Sequence, residues 1–117
     1  MIRFDDIPNI YMFTGPTDLR KGIDGYAALV ENELGHDIFE NCLFIFCNRA
    51  RNKIKCLYWD GTGFWLLYKR LEKGHFQWGR DPSGNMVHIT HQQLKWLLEG
   101  LKIEQRKAFE KTSPKYA

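Results

Sequence analysis

The chain has 117 residues and a mass of 13.9 kDa, with 44% hydrophobic and 26% charged residues, which suits one globular domain that buries a core without disulfides. No apolar run reaches the length that spans a bilayer, and the opening MIRFDDIPN lacks a signal peptide's apolar core, so the expected location is cytoplasmic with no membrane partner. The net charge of +3 is unevenly spread: residues 1–48 hold three bases against eight acids, and residues 49–80 hold eight bases against two acids. Such polarity favours an acidic partner, or self-association of unlike patches.

In chain order, residues 10–14 read as a first strand, punctuated by Pro8 before it and Gly15-Pro16 after it. A helix follows in TDLRKGIDGYAALVENELG, where Leu19, Ile23, Ala27, Val30 and Leu34 recur at helical spacing and Gly35 is placed to end it. Thr17 or Asp18 can cap its start. Gly22 and Gly25 are unfavourable early in a helix, costing roughly 1 kcal/mol each against Ala. They suggest a close backbone approach, or a loop that runs to Ile23 with Asp24 as the cap. Arg20 and Lys21 stand at this electropositive helix end, where a docked phosphate would relieve them, and where pairing of Arg20 with Asp18 or Asp24 would do the same.

Residues 42–78 read as consecutive strands of an antiparallel meander. In the first run, Leu43, Ile45 and Cys47 share one face while Phe44 and Phe46 share the other. A polar loop covers residues 48–52, a strand residues 53–59, a turn residues 60–63 and a strand residues 64–71, with a further strand from 75 to 78. A last strand over 86–89 is expected to pair with 75–78 across a turn at residues 80–85. Thr90 and Gln93 have capping-box spacing, and Leu94, Leu97, Leu98 and Leu101 line the buried face of a second helix ended by Gly100. Trp96 lies off that stripe, so it packs on the sheet edge or faces a partner. The expected architecture is α+β: a meander of five to six strands packed by two main helices in one domain over residues 1–101. A basic tail over 102–117, with no clean apolar stripe, is read as flexible.

The cations of the meander are its chemical content. Lys53, Lys55, Leu57 and Trp59 share one strand face, and cations interleaved with an aromatic suit a phosphate backbone and stacked bases. The same pattern also serves as a solvated face that keeps a sheet edge from aggregating. Cys42, Cys47 and Cys56 lack knuckle spacing and read as reduced, partly buried thiols, so neither metal nor cofactor is expected. There is no Walker loop, nucleophile elbow or zinc helix, and no carboxylate pair whose spacing compels acid–base chemistry.

Together these stretches resemble a family. They are residues 14–25 (TGPTDLRKGIDG), the loop 48–51 (NRAR) leading into Ile54-Lys55, and residues 59–63 (WDGTG). Residues 69–74 (KRLEKG) with Phe76 and Trp78 follow, and then residues 94–100. Their order and spacing are similar to the TnpB-type, or Orf2-like, accessory protein of the sixty-six family of bacterial insertion sequences. The RNA-guided nucleases that share the TnpB name are unrelated to this resemblance. It implies a role in transposition beside a separate transposase and a second small accessory protein, with the cutting and joining chemistry in the transposase. The combined expectation is a non-enzymatic module that contacts DNA phosphates through Arg20, Lys21, Arg49, Arg51, Lys53, Lys55, Lys69 and Arg70, with Trp59 stacking or supporting its turn. The alternative is a protein–protein adaptor that docks transposase or another copy of itself. A metal-dependent nuclease using Asp60 is a third, weaker reading, because an Asp-Gly turn needs no chemistry.

Overall fold

Strand β2 (Cys42–Cys47) runs through the middle of the molecule, and each of its six residues is buried. Its alternation matches the sequence pattern: Leu43, Ile45 and Cys47 join one core cluster, while Cys42, Phe44 and Phe46 join another on the opposite face. The computed structural model describes residues 3–35, 37–78 and 84–99. The expected tail over 102–117, Leu101, Gly100 and most of the turn at 80–85 lie outside the described residues.

Five strands form one sheet in the order β4-β3-β2-β1-β5, with β1 spanning Asn9–Pro16, β3 Lys53–Trp59, β4 Phe64–Arg70 and β5 Met86–Ile89. The architecture is α+β, as the sequence predicts, but the sheet is mixed: β2, β3 and β4 form the expected antiparallel meander, and β1 departs from it. β1 pairs with β2 in parallel, Ile10 opposite Leu43 and Met12 opposite Ile45, with a bulge between Met12 and Pro16. A parallel pair requires a crossover of a dozen or more residues. Residues 17–41 supply it, carrying α1 (Ile23–Ala28) and a π-helical turn (Leu29–Glu33).

Two further expectations are corrected. Residues 75–78 are not a strand. The Trp78 amide donates to the Phe76 carbonyl at 2.9 Å and the Phe76 amide to the Arg51 carbonyl at 2.6 Å, so the segment is a tight strap. It sends Phe76 and Trp78 into the core instead of forming a ladder. β5 consequently pairs antiparallel with β1, Ile10 opposite Ile89, because the strap does not offer it an edge. The helix also starts later than residue 17: Gly22 is its N-cap and Asp24 lies in its first turn, so the loop reading up to Ile23 holds and the Asp24 cap does not. The close approach expected at both glycines occurs at Gly25 alone, where an added Cβ would stand 3.0 Å from Lys21 Cβ, while Gly22 faces open space.

Each sheet face has its own cover. On one, α1 lays Tyr26 on Phe46, ring centroids 4.8 Å apart, with Val30 and Leu57 completing the cluster. On the other, α2 (His91–Leu98) buries Leu94 and Leu97 against Ile10, Ile45 and Ile54, with Phe76 and Trp78. The capping box is present: Thr90 accepts from the Gln93 amide, and the Gln93 side chain accepts from the Thr90 amide. Trp96 is buried, so it does not face outward. No helix of the described residues is long and apolar enough to cross a membrane.

Cys42, Cys47 and Cys56 are buried thiols outside any disulfide. Burial pushes the Cys56 thiol up to about 12, and burial together with Glu40 does the same for Cys42. Above the ordinary thiol value of 9.0 the unfolded chain ionises while these native thiols do not, so their contribution to stability falls as pH rises from 9.0 towards about 12. Alkylation kinetics at mildly alkaline pH check this: Cys56 should label only when denaturant unfolds the chain. Ile45→Ala should cost about 3 kcal/mol by leaving a cavity between the sheet and α2, read as a lower midpoint in denaturant melts.

Candidate nucleic-acid interface

β3 pairs with β4 so that Lys53 stands opposite Arg70, Lys55 opposite Tyr68, Leu57 opposite Leu66 and Trp59 opposite Phe64. These eight side chains share the α1 face of the sheet, since Leu57 packs in the α1 cluster. α1 covers the Leu57 end and leaves the Lys53 end open. The loop before α1 closes over that opening and makes a groove of about 590 Å³. Arg20, Lys53 and Lys55 line it with Tyr68, and Asp18 is its carboxylate.

The groove is built by short-range chemistry. The Asp18 carboxylate accepts the Arg20 backbone amide at 2.9 Å and the guanidinium through Nε and Nη2 at 3.0 and 2.8 Å. The Arg20 guanidinium and amide therefore hold the Asp18 carboxyl well below the usual range. Pairing of Arg20 with Asp18, one of the two sequence readings, is thus present. It fixes the guanidinium at the mouth of the groove. Lys55 Nζ donates to the Lys21 carbonyl at 3.2 Å and lies 6.0 and 5.9 Å from the ring centroids of Tyr26 and Tyr68. The Lys21 side chain is exposed and packs at Gly25.

Arg49 and Arg51 are exposed in the loop between β2 and β3. Asn48 organises that loop: its side-chain oxygen accepts the amides of Asn52 and Lys53 at 3.1 Å, and its nitrogen donates to Asn52 Oδ1 at 2.8 Å. Arg51 takes a left-handed conformation, φ 61°, to close it. Arg70 lies beside the groove and pairs with Glu72 at 2.7 Å.

Two of the candidate residues sit elsewhere. Lys69 points to the α2 face, where Nζ donates to the Leu98 carbonyl at 2.8 Å and satisfies the end of that helix. Trp59 is six residues from Lys53, roughly 20 Å along the strand. It packs with Phe39 and Phe64, both at 4.9 Å between centroids. The sequence reading did not single out Tyr68, because its role depends on standing opposite Lys55 across a strand pair.

Asp60 spends its acceptors on its own turn. Oδ1 takes the amides of Thr62 and Gly63 and the Thr62 hydroxyl, and Oδ2 takes Trp65 Nε1, all between 2.8 and 2.9 Å, with Gly61 at φ 99°. These donors, the Thr62 amide first, hold its carboxyl well below the usual range. Among the described residues no three His, Cys, Asp or Glu side chains gather where a metal could sit.

With this geometry in place, comparison with known proteins gives the family. Residues 8–108 match the family model described as IS66 Orf2 like protein, and the chain belongs to that family. It is 34% identical over 92 residues to uncharacterized protein y4jC of Sinorhizobium fredii, covering 79% of this chain and 78% of that one. Uncharacterized protein y4hO of the same strain is likewise 34% identical over 92 residues, covering 79% of each chain. No solved structure matches the chain.

Asp60→Ala should lower the melting temperature by opening the turn between β3 and β4. Because the native carboxyl titrates below the ordinary value of 3.8, the gap from the parent protein should be full at neutral pH and should narrow as pH falls below 3.8. Thermal melts of the two proteins across acid pH check both statements.

Proposed function

We propose that this chain is a non-catalytic accessory protein of insertion-sequence transposition that holds DNA on the groove face of its sheet while a separate transposase cuts and joins. Family membership supports the transposition role. The observation that carries the DNA reading is the convergence of Arg20, Lys53 and Lys55 on one groove with an aromatic wall, flanked by Arg70 and the loop bearing Arg49 and Arg51. Cations spaced along a concave surface neutralise successive phosphates and release their counterions. Asp60, the carboxylate of the nuclease reading, is occupied by turn donors, which supports a role without chemistry. Transposase and the second small protein of the element are the protein partners in this reading.

Salt-titrated binding of the purified protein to DNA from the element's ends tests it. Lys53→Ala/Lys55→Ala should weaken binding to every sequence and reduce the slope of log affinity against log salt by roughly one per lost contact. Arg49→Ala/Arg51→Ala should act in the same direction with little change in melting, because exposed loop charges contribute little to folding. Variants that keep full DNA affinity but lose transposase would establish the adaptor instead. For that function the exposed ring of Phe39, beside Trp59 and Phe64, offers a contact surface.

A further inference from the structure

We propose that the groove takes one unpaired nucleotide of single-stranded DNA, with the base stacked on Tyr68 and the phosphate between Arg20 and Lys53. This rests on the DNA-binding reading and adds to it the form of DNA recognised. Three observations carry it.

The first is shape. The groove of about 590 Å³ is open to solvent and carries the Tyr68 ring in its lining, so a strand can lie across it with one base on that ring. The second is the ring. Tyr68 lies on the edge strand β4 and keeps 53% of its surface exposed, although the neighbouring Leu66 on the same face is half-buried. Lys55 Nζ stands 5.9 Å from the Tyr68 ring centroid. A ring that lines a groove cannot meet a base that is paired and stacked inside a duplex. It can meet a base that has left the stack, and aromatic stacking of this kind is largely independent of sequence. The third is the charge arrangement around the ring. Asp18 takes Nε and Nη2 of Arg20 and not Nη1, and Lys53 lines the same groove, so cationic donors share it with the ring and can meet a phosphate adjoining the stacked base.

Fluorescence anisotropy at fixed salt tests the assignment with a labelled single strand of roughly 12 nucleotides, the same sequence as a blunt duplex, and the same sequence as RNA. The parent protein should prefer the DNA single strand. Tyr68→Ala should weaken single-strand binding by about tenfold and leave the duplex within about twofold, while Tyr68→Phe retains the parent affinity. Tyr68→Leu keeps apolar bulk without a flat π face and should behave as Tyr68→Ala does, which separates stacking from any loss of fold. Equal loss for both DNA forms, or equal loss in Tyr68→Phe and Tyr68→Ala, would overturn the proposal. A parent protein that binds the duplex more tightly would overturn it and leave the DNA-binding reading standing. Tighter binding of the RNA strand would also overturn it, and failure to bind either DNA form would remove both readings together.

Discussion

Complete burial of β2 is the constraint on which the rest of the structure depends. Six consecutive residues without solvent on either face must place every backbone amide and carbonyl in a ladder, since an unpaired buried group costs as much as a lost hydrogen bond. β1 supplies one ladder in parallel and β3 the other in antiparallel. Two apolar faces then each need a cover, which α1 and α2 provide. The covers are short: α1 has six residues before its π-helical turn, and α2 has eight. A sheet of five strands is wider than one short helix, so part of the α1 face remains open at the Lys53 end of β3. The groove is thus a consequence of central burial combined with incomplete cover.

Charge in this molecule is divided between tasks that its position in the chain does not separate. Residues 49–80 look like one basic block, yet period-two geometry sends neighbours to opposite faces. Lys69 satisfies a carbonyl of Leu98, Arg70 holds Glu72, and Lys55 lies over two tyrosine rings while donating to Lys21. The set of cations left facing solvent is therefore smaller and more structured than the count of bases implies.

Much of the fold is legible in the residues. The alternation in CLFIFC assigns its two faces correctly, KIKCLYW has the bounds of β3, and Thr90 with Gln93 marks the start of α2. These signals are local. The parallel pairing of β1 with β2 is not local, because nothing within either strand distinguishes a partner reached by a crossover from one reached by a hairpin. HFQW alternates as a strand would, and it fails as one because the Trp78 amide bonds back to the Phe76 carbonyl and the Phe76 amide to Arg51, which leaves no ladder to form. For the site, the cations are visible in sequence, but the enclosure is not. Asp18 reaches it from a loop before α1, and Tyr68 reaches it by register with Lys55.

The anchoring of Lys69 has a consequence for alignment. Along β4, Tyr68 and Arg70 face the groove while Lys69, between them, is bound to the last turn of α2 on the opposite side. An edge strand is where a sheet slips most easily, and a slip of one residue reverses the facing of every side chain. Here such a slip would bring Lys69 into the groove and set the Tyr68 ring against the Leu98 carbonyl. The lysine at the helix end thus acts as a second indexing pin beside the Asp60 turn: together they hold the margin of the sheet at the one alignment in which an aromatic ring, and not a third ammonium group, stands beside Lys55.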